Sequence, residues 1–111
     1  MRRKISVDKI ILCFDKIFGY CAGLSYEDFR IDQQLIEACV FNLSQAGELA
    51  NKIDVDFKES HRSIPWKKLY GLRNRIIHDY EGINFLLIWE IIQEDLPKLR
   101  EQLATINDFE E

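Results

Sequence analysis

Arg73 and His78, five residues apart, are the side chains in this sequence best suited to chemistry. An imidazole titrates near neutrality, so it can take a proton from a hydroxyl and return one to a leaving group. A guanidinium is a permanently charged planar fork that fits phosphate oxygens and the extra charge they gain in a transition state. Asn74 stands one helical turn before His78 and can orient the ring or bond a phosphate. Placed on a helix with Leu69 as origin, Leu72, Ile76 and Tyr80 fall within about 60° of it and form a core stripe. Arg73 borders that stripe at about 40°, while Asn74 and His78 fall near 140° and 180°, on the opposite face. The pattern therefore aims His78 away from the core of its own domain. The plainer alternative is a histidine in a last helical turn, stabilised by the helix dipole for about 0.3–1 kcal/mol. Arg73 and His78 lie about 140° apart around the axis, so they meet through the length of arginine or through two copies facing each other. His61 and His78 have no cysteine or carboxylate at ligand spacing, so no metal site is expected.

Four main helices are needed to position this segment. Ser6 is the expected N-cap of the first, with Val7, Ile10, Ile11, Phe14, Ile17 and Phe18 as one apolar stripe and Gly19 and Gly23 bracketing its end. Ser25 to Phe29 reads as a short capped turn. Asp32 opens a second helix to about Ile53, whose first half, Leu35 to Leu43, is apolar almost all round. Such a helix is central, or forms a dimer seam. Ser63-Ile64-Pro65 starts the third helix, with the proline tolerated in its first turn, and Gly82 ends it. Asn84 caps the fourth, along which Phe85, Ile88, Ile92, Leu96, Leu99, Leu103 and Ile106 form a stripe that continues past a kink at Pro97. There is no strand alternation, repeat or linker. The expectation is an all-α antiparallel bundle of four main helices, with residues 1–111 as one domain.

Bulk properties narrow the classes. The 111 residues are 47% hydrophobic with only five glycines and two prolines, which suits a compact helical protein and opposes disorder. No leader and no membrane-spanning run is expected, since the longest apolar stretch, Phe85 to Trp89, is far too short. Cys13, Cys21 and Cys39 lack CxxC spacing and read as buried thiols in a reducing cytoplasm. The net charge of −4 hides an asymmetry. Between His61 and Tyr80 stand Arg62, Lys67, Lys68, Arg73 and Arg75 against Asp79, a local +4, so the remainder carries −8. A basic island in an acidic chain fits local phosphate contact, although a solvated helix face balanced by acidic neighbours has the same composition.

The segment Arg73-Asn74-Arg75-Ile76-Ile77-His78-Asp79-Tyr80 resembles the Arg-x4-His-x-Tyr motif of the HepT-like branch of HEPN proteins. The likeness extends to Gln45-Ala46-Gly47-Glu48, Ile64-Pro65-Trp66, Ile88-Trp89-Glu90-Ile91 and Asp95-Leu96-Pro97. It implies a HEPN-like helical toxin that forms a two-fold homodimer and pairs with a small nucleotidyltransferase antitoxin. It also implies metal-independent cleavage of RNA without a cofactor, with Arg73 stabilising the phosphate, His78 as acid and base, and the RNA's own 2′-hydroxyl as nucleophile. Tyr80 is then the residue to which the antitoxin attaches AMP.

Other residues carry weaker expectations. Lys67, Lys68 and Arg75 are candidate contacts to RNA phosphates, against the plain reading of a solvated face. Trp66 and Trp89 read as core or interface anchors before base-stacking platforms. Glu48 beside Gly47 reads as helix packing with a structural hydrogen bond, and Cys39 as a small core residue. The competing function is a non-catalytic subunit that offers a nucleotide or substrate surface to a nucleotidyltransferase, with Arg73 and His78 holding a phosphate. A plain helical interaction protein with an incidental motif is the third reading.

Overall fold

The computed structural model describes residues 5–81 and 84–106, with the side chains of residue 73 and residues 75–81 outside the description. The apolar stripes of the sequence fold into helices α1 (Ile5–Cys21), α2 (Tyr26–Arg30), α3 (Gln33–Asn51), α4 (Val55–Ser60) and α5 (Trp66–Glu81). They continue as α6 (Phe85–Glu90), a π-helical turn over Ile91–Asp95 and α7 (Leu96–Ala104). Among the described residues every regular element is helical, and the four long helical bodies are α1, α3, α5 and the composite C-terminal helix. The fold is the expected helical bundle.

Capping residues set the starts. Asp32 accepts the Leu35 N–H at 3.0 Å and Asn84 accepts the Leu87 N–H at 3.0 Å, so both expected caps are in place. Gly23 has φ of +77°, the left-handed conformation that turns the chain out of α1. What reads in sequence as a turn from Ser25 to Phe29 is helix α2. It is nucleated by a capping box in which Ser25 Oγ accepts the Asp28 N–H and Asp28 accepts the Ser25 N–H.

The core follows the stripes. Val7, Ile10, Phe14 and Ile17 of α1 are fully buried against Ile36, Cys39 and Leu43 of α3. Each such side chain taken from water contributes about 1.5–3 kcal/mol. Helix α3 packs against α1 on one side and α5 on the other, which accounts for its all-round apolar first half. It is the central helix of the chain, and Phe41, 62% exposed, is the part of that run left on the surface. Asn42 is buried on α3, and its Nδ2 donates to the Ala38 carbonyl at 2.9 Å, which offsets part of the cost of burying the amide. Helix α2 docks through Phe29, whose ring lies 5.1 Å from Trp89 of α6. A bidentate pair from Arg100 to Asp15, at 2.9 and 3.0 Å, ties α7 to α1 and holds the guanidinium pKa up.

Several boundaries differ from those read in sequence. Ser6 lies inside α1, which already includes Ile5, so it is not the N-cap. Helix α3 ends at Asn51, before Ile53, and a further helix, α4, lies between the second and third helices expected from sequence, where none was assigned. Pro65 sits just ahead of α5 instead of in its first turn, with its carbonyl accepting the Lys68 and Leu69 N–H groups at 3.0 and 3.1 Å. The C-terminal helix passes Pro97 without ending, and its adjustment is the π turn, where the Leu96 N–H reaches back to Ile91. Gly82 lies outside the described residues.

Candidate functional site

Helix α5 carries the whole Arg73–Tyr80 segment, and its first turns are fixed on three sides. Leu69 and Leu72 are fully buried, as their places on the core stripe require. Trp66 is buried too, and its Nε1–H is shared between the carbonyls of Lys58 and His61, at 3.2 and 3.1 Å. That bond pins α4 and its following turn to α5. The His61 ring stacks on Phe57 with centroids 4.3 Å apart, and its Nδ1 lies 2.9 Å from the Phe57 carbonyl. His61 is thus built into this corner as structure.

The placement of the expected site residues divides into two groups. Asn74 is exposed, in keeping with a face opposite Leu69 and Leu72. The side chains of Arg73, Arg75, Ile76, His78 and Tyr80 lie outside the described residues. Their backbone positions belong to α5, on which five residues separate Arg73 from His78 by about 7.5 Å along the axis. Lys67 and Lys68 are both exposed near the start of the same helix. Lys68 Nζ faces Asp95 Oδ1 of the π turn at 3.9 Å, an ion pair that ties α5 to the C-terminal helix. Lys67 faces elsewhere, into a cleft of about 650 Å³ between α4 and α5.

That cleft is the feature sequence reasoning missed. Lys58, Arg62 and Lys67 line it with Val55, Trp66 and Tyr70. The Lys58 ammonium lies 5.6 Å from the centre of the Tyr70 ring. Arg62 and Lys67 were visible as members of a basic island, but Lys58 joins them only because α4 folds back over α5.

Trp89, half-buried against Phe29 and Tyr26, is a packing anchor, as is Trp66. Gly47 is buried on α3 beside a half-buried Glu48. The three cysteines are free thiols. Cys21 and Cys39 are buried with their sulfurs 3.7 Å apart, and that hydrogen bond lowers the Cys21 pKa while raising that of Cys39. Among the described residues, which do not include the side chains of His78 and Asp79, no three His, Cys, Asp or Glu side chains are grouped to hold a metal. No helix among them is long and apolar enough to cross a membrane.

Comparison with known proteins identifies the class that this bundle and its α5 segment define. The profile of the family described as Ribonuclease HepT-like matches residues 10–106, and the chain belongs to that family. A candidate RNase of Caldanaerobacter subterraneus is 39% identical over 84 residues, covering 76% of this chain and 75% of that one. A candidate RNase of Methanocaldococcus jannaschii is 32% identical over 90 residues, covering 81% and 83%. A protein of Thermococcus cleftensis named "Probable ribonuclease HepT" is 34% identical over 94 residues, covering 85% and 86%. No solved structure matches.

Proposed function

We propose that this protein is a metal-independent endoribonuclease, the toxin of a toxin–antitoxin pair in the cytoplasm, silenced when a nucleotidyltransferase attaches AMP to Tyr80. The observation that carries the reading is the family match over residues 10–106, which contains the entire Arg73–Tyr80 segment on α5. The chemistry follows from the residue types. His78 takes the proton of a ribose 2′-hydroxyl, whose oxygen attacks the adjacent phosphorus. The bond from phosphorus to the 5′-oxygen breaks, and that oxygen leaves with a proton returned by an imidazolium. The products are a 2′,3′-cyclic phosphate and a free 5′-hydroxyl. Arg73 neutralises the charge that gathers on the phosphoryl oxygens, and Asn74 orients the ring or the phosphate.

A two-fold homodimer completes the site. In one helix Arg73 and His78 sit on different faces, whereas a two-fold axis sets the same patch against itself and brings both copies of each residue to one cleft. AMP on Tyr80 adds bulk and a negative phosphate beside Arg73, so it blocks by occupancy and charge without refolding.

The test is end-group analysis of single-stranded RNA incubated with the chain in EDTA. Cyclic phosphate and 5′-hydroxyl ends are expected. Cleavage that requires a divalent cation, or that leaves 5′-phosphates, contradicts the mechanism. Nucleotide binding with no cleavage assigns the chain to a binding subunit instead.

A further inference from the structure

The cleft between α4 and the first turns of α5 combines two properties that seldom share an open surface. Three of its lining residues are cationic (Lys58, Arg62 and Lys67) against one acid, Glu59, although the chain as a whole carries −4. Its walls are also apolar and aromatic. Val55 is 67% exposed there, and Tyr70 presents its ring beneath the Lys58 ammonium. Among the described residues Lys68 is held in an ion pair, whereas Arg62 and Lys67 are not. A flat apolar surface with cations at its rim is the chemistry that holds a nucleotide, the base on the ring and the phosphate on the charges.

Gly71 supplies an independent observation. Glycine inside a helix weakens it relative to alanine, so packing usually explains its presence. Here a Cβ built at Gly71 meets nothing within 4 Å, so no neighbour among the described residues calls for the missing side chain. The effect is to bare the helix backbone immediately beyond Tyr70. On the wheel that places Leu69 at the origin, Lys67, Tyr70, Asn74 and Gly71 fall between about 100° and 200°, on one face of α5. The stripe runs from the cleft toward the turn that carries His78, roughly 16 Å along the axis from Lys67, a span that a few nucleotides of extended strand cover.

We propose that the α4–α5 cleft and the bare face of α5 from Lys67 to Asn74 form a binding track for single-stranded RNA. A base seats against Tyr70 and Val55, phosphates contact Arg62 and Lys67, and the strand crosses Gly71 toward the scissile position. The track rests on the ribonuclease reading for its purpose, but its existence is measured without cleavage. Failure of the chain to bind RNA would leave docking of an acidic protein partner as the competing use of such a surface.

The experiment uses the full chain with His78→Ala, so that RNA is not consumed, and a fluorescently labelled single-stranded oligoribonucleotide titrated over a range of salt. Removing both rim charges (Arg62→Ser with Lys67→Ser) should lower the slope of log affinity against log salt by about 1.4, at about 0.7 per phosphate contact. Gly71→Leu, a good helix former pointing into open space, should leave circular dichroism unchanged and weaken binding at least about tenfold, the scale of one lost stacking or backbone contact. Unaltered affinity and slope in both variants overturns the track, as does an absence of RNA binding by the His78→Ala chain. A cleavage assay on the same variants, made in the His78 background, separates the two claims. Loss of RNA binding without any cleavage by the His78 chain keeps the track and removes the nuclease. Full binding by both variants beside His78-dependent cleavage does the reverse.

Discussion

Trp66→Phe tests whether the corner that positions α5 is held as described. The indole is buried, and its single N–H is divided between two carbonyls, those of Lys58 and His61. Each carbonyl has a second donor: the His61 N–H bonds Lys58 at 3.1 Å and the Ile64 N–H bonds His61 at 3.1 Å. Phenylalanine therefore orphans no buried acceptor, and the penalty is the net value of one hydrogen bond, about 0.5–1.5 kcal/mol. The smaller ring adds a packing loss, so the total is on the order of 1–2.5 kcal/mol. Trp66→Ala removes the whole side chain and should cost about 3–5 kcal/mol. For a domain of this size each 1 kcal/mol corresponds to roughly 4–8 °C in Tm. Trp66→Phe should melt roughly 5–15 °C below the parent, and Trp66→Ala should approach unfolding at ordinary temperatures. Circular dichroism melts and urea titrations at one fixed protein concentration measure both. A Trp66→Phe chain as stable as the parent would show that the indole N–H does not tie α4 to α5.

Three further outcomes are expected. Asn84→Ala removes the acceptor of the Leu87 N–H and should cost about 1 kcal/mol by urea denaturation; no loss would mean the cap is idle. Arg100→Ala breaks the bidentate pair to Asp15, but both side chains are substantially exposed, so the change should stay within about 1 kcal/mol. A larger loss would assign that pair a structural weight its exposure does not explain. With a cognate nucleotidyltransferase and ATP, mass spectrometry should find an added adenylyl group on the parent and none on Tyr80→Phe, and equal labelling would place the modification elsewhere.

The fold was legible where periodicity ran long. The stripe from Val7 to Ile17, the central helix from Gln33 and the caps Asp32 and Asn84 could all be read from spacing and residue type. Helix α4 was not, because its six residues contain one buried side chain, Phe57, too few to establish a period. Pro97 announced a disturbed helix but not its form. A proline removes one N–H and crowds the carbonyl four residues earlier, and here the chain answers with a π turn over Ile91–Asp95. That Arg73, Asn74 and His78 share one helix was legible from the apolar spacing around them, and the roles proposed for them rest on residue type. The α4–α5 cleft was not, since Lys58 and Tyr70 are brought together only by the fold of α4 against α5.

The catalytic roles proposed for Arg73 and His78 stand or fall on single-turnover cleavage of one oligoribonucleotide in EDTA, comparing the parent chain with Arg73→Ala and His78→Ala. Loss of a positioned acid and base should slow cleavage by about 10²–10⁴, with Arg73→Ala also severely impaired while both variants keep the helical content of the parent. Cleavage at the parental rate by both variants would show that neither residue takes part in the reaction.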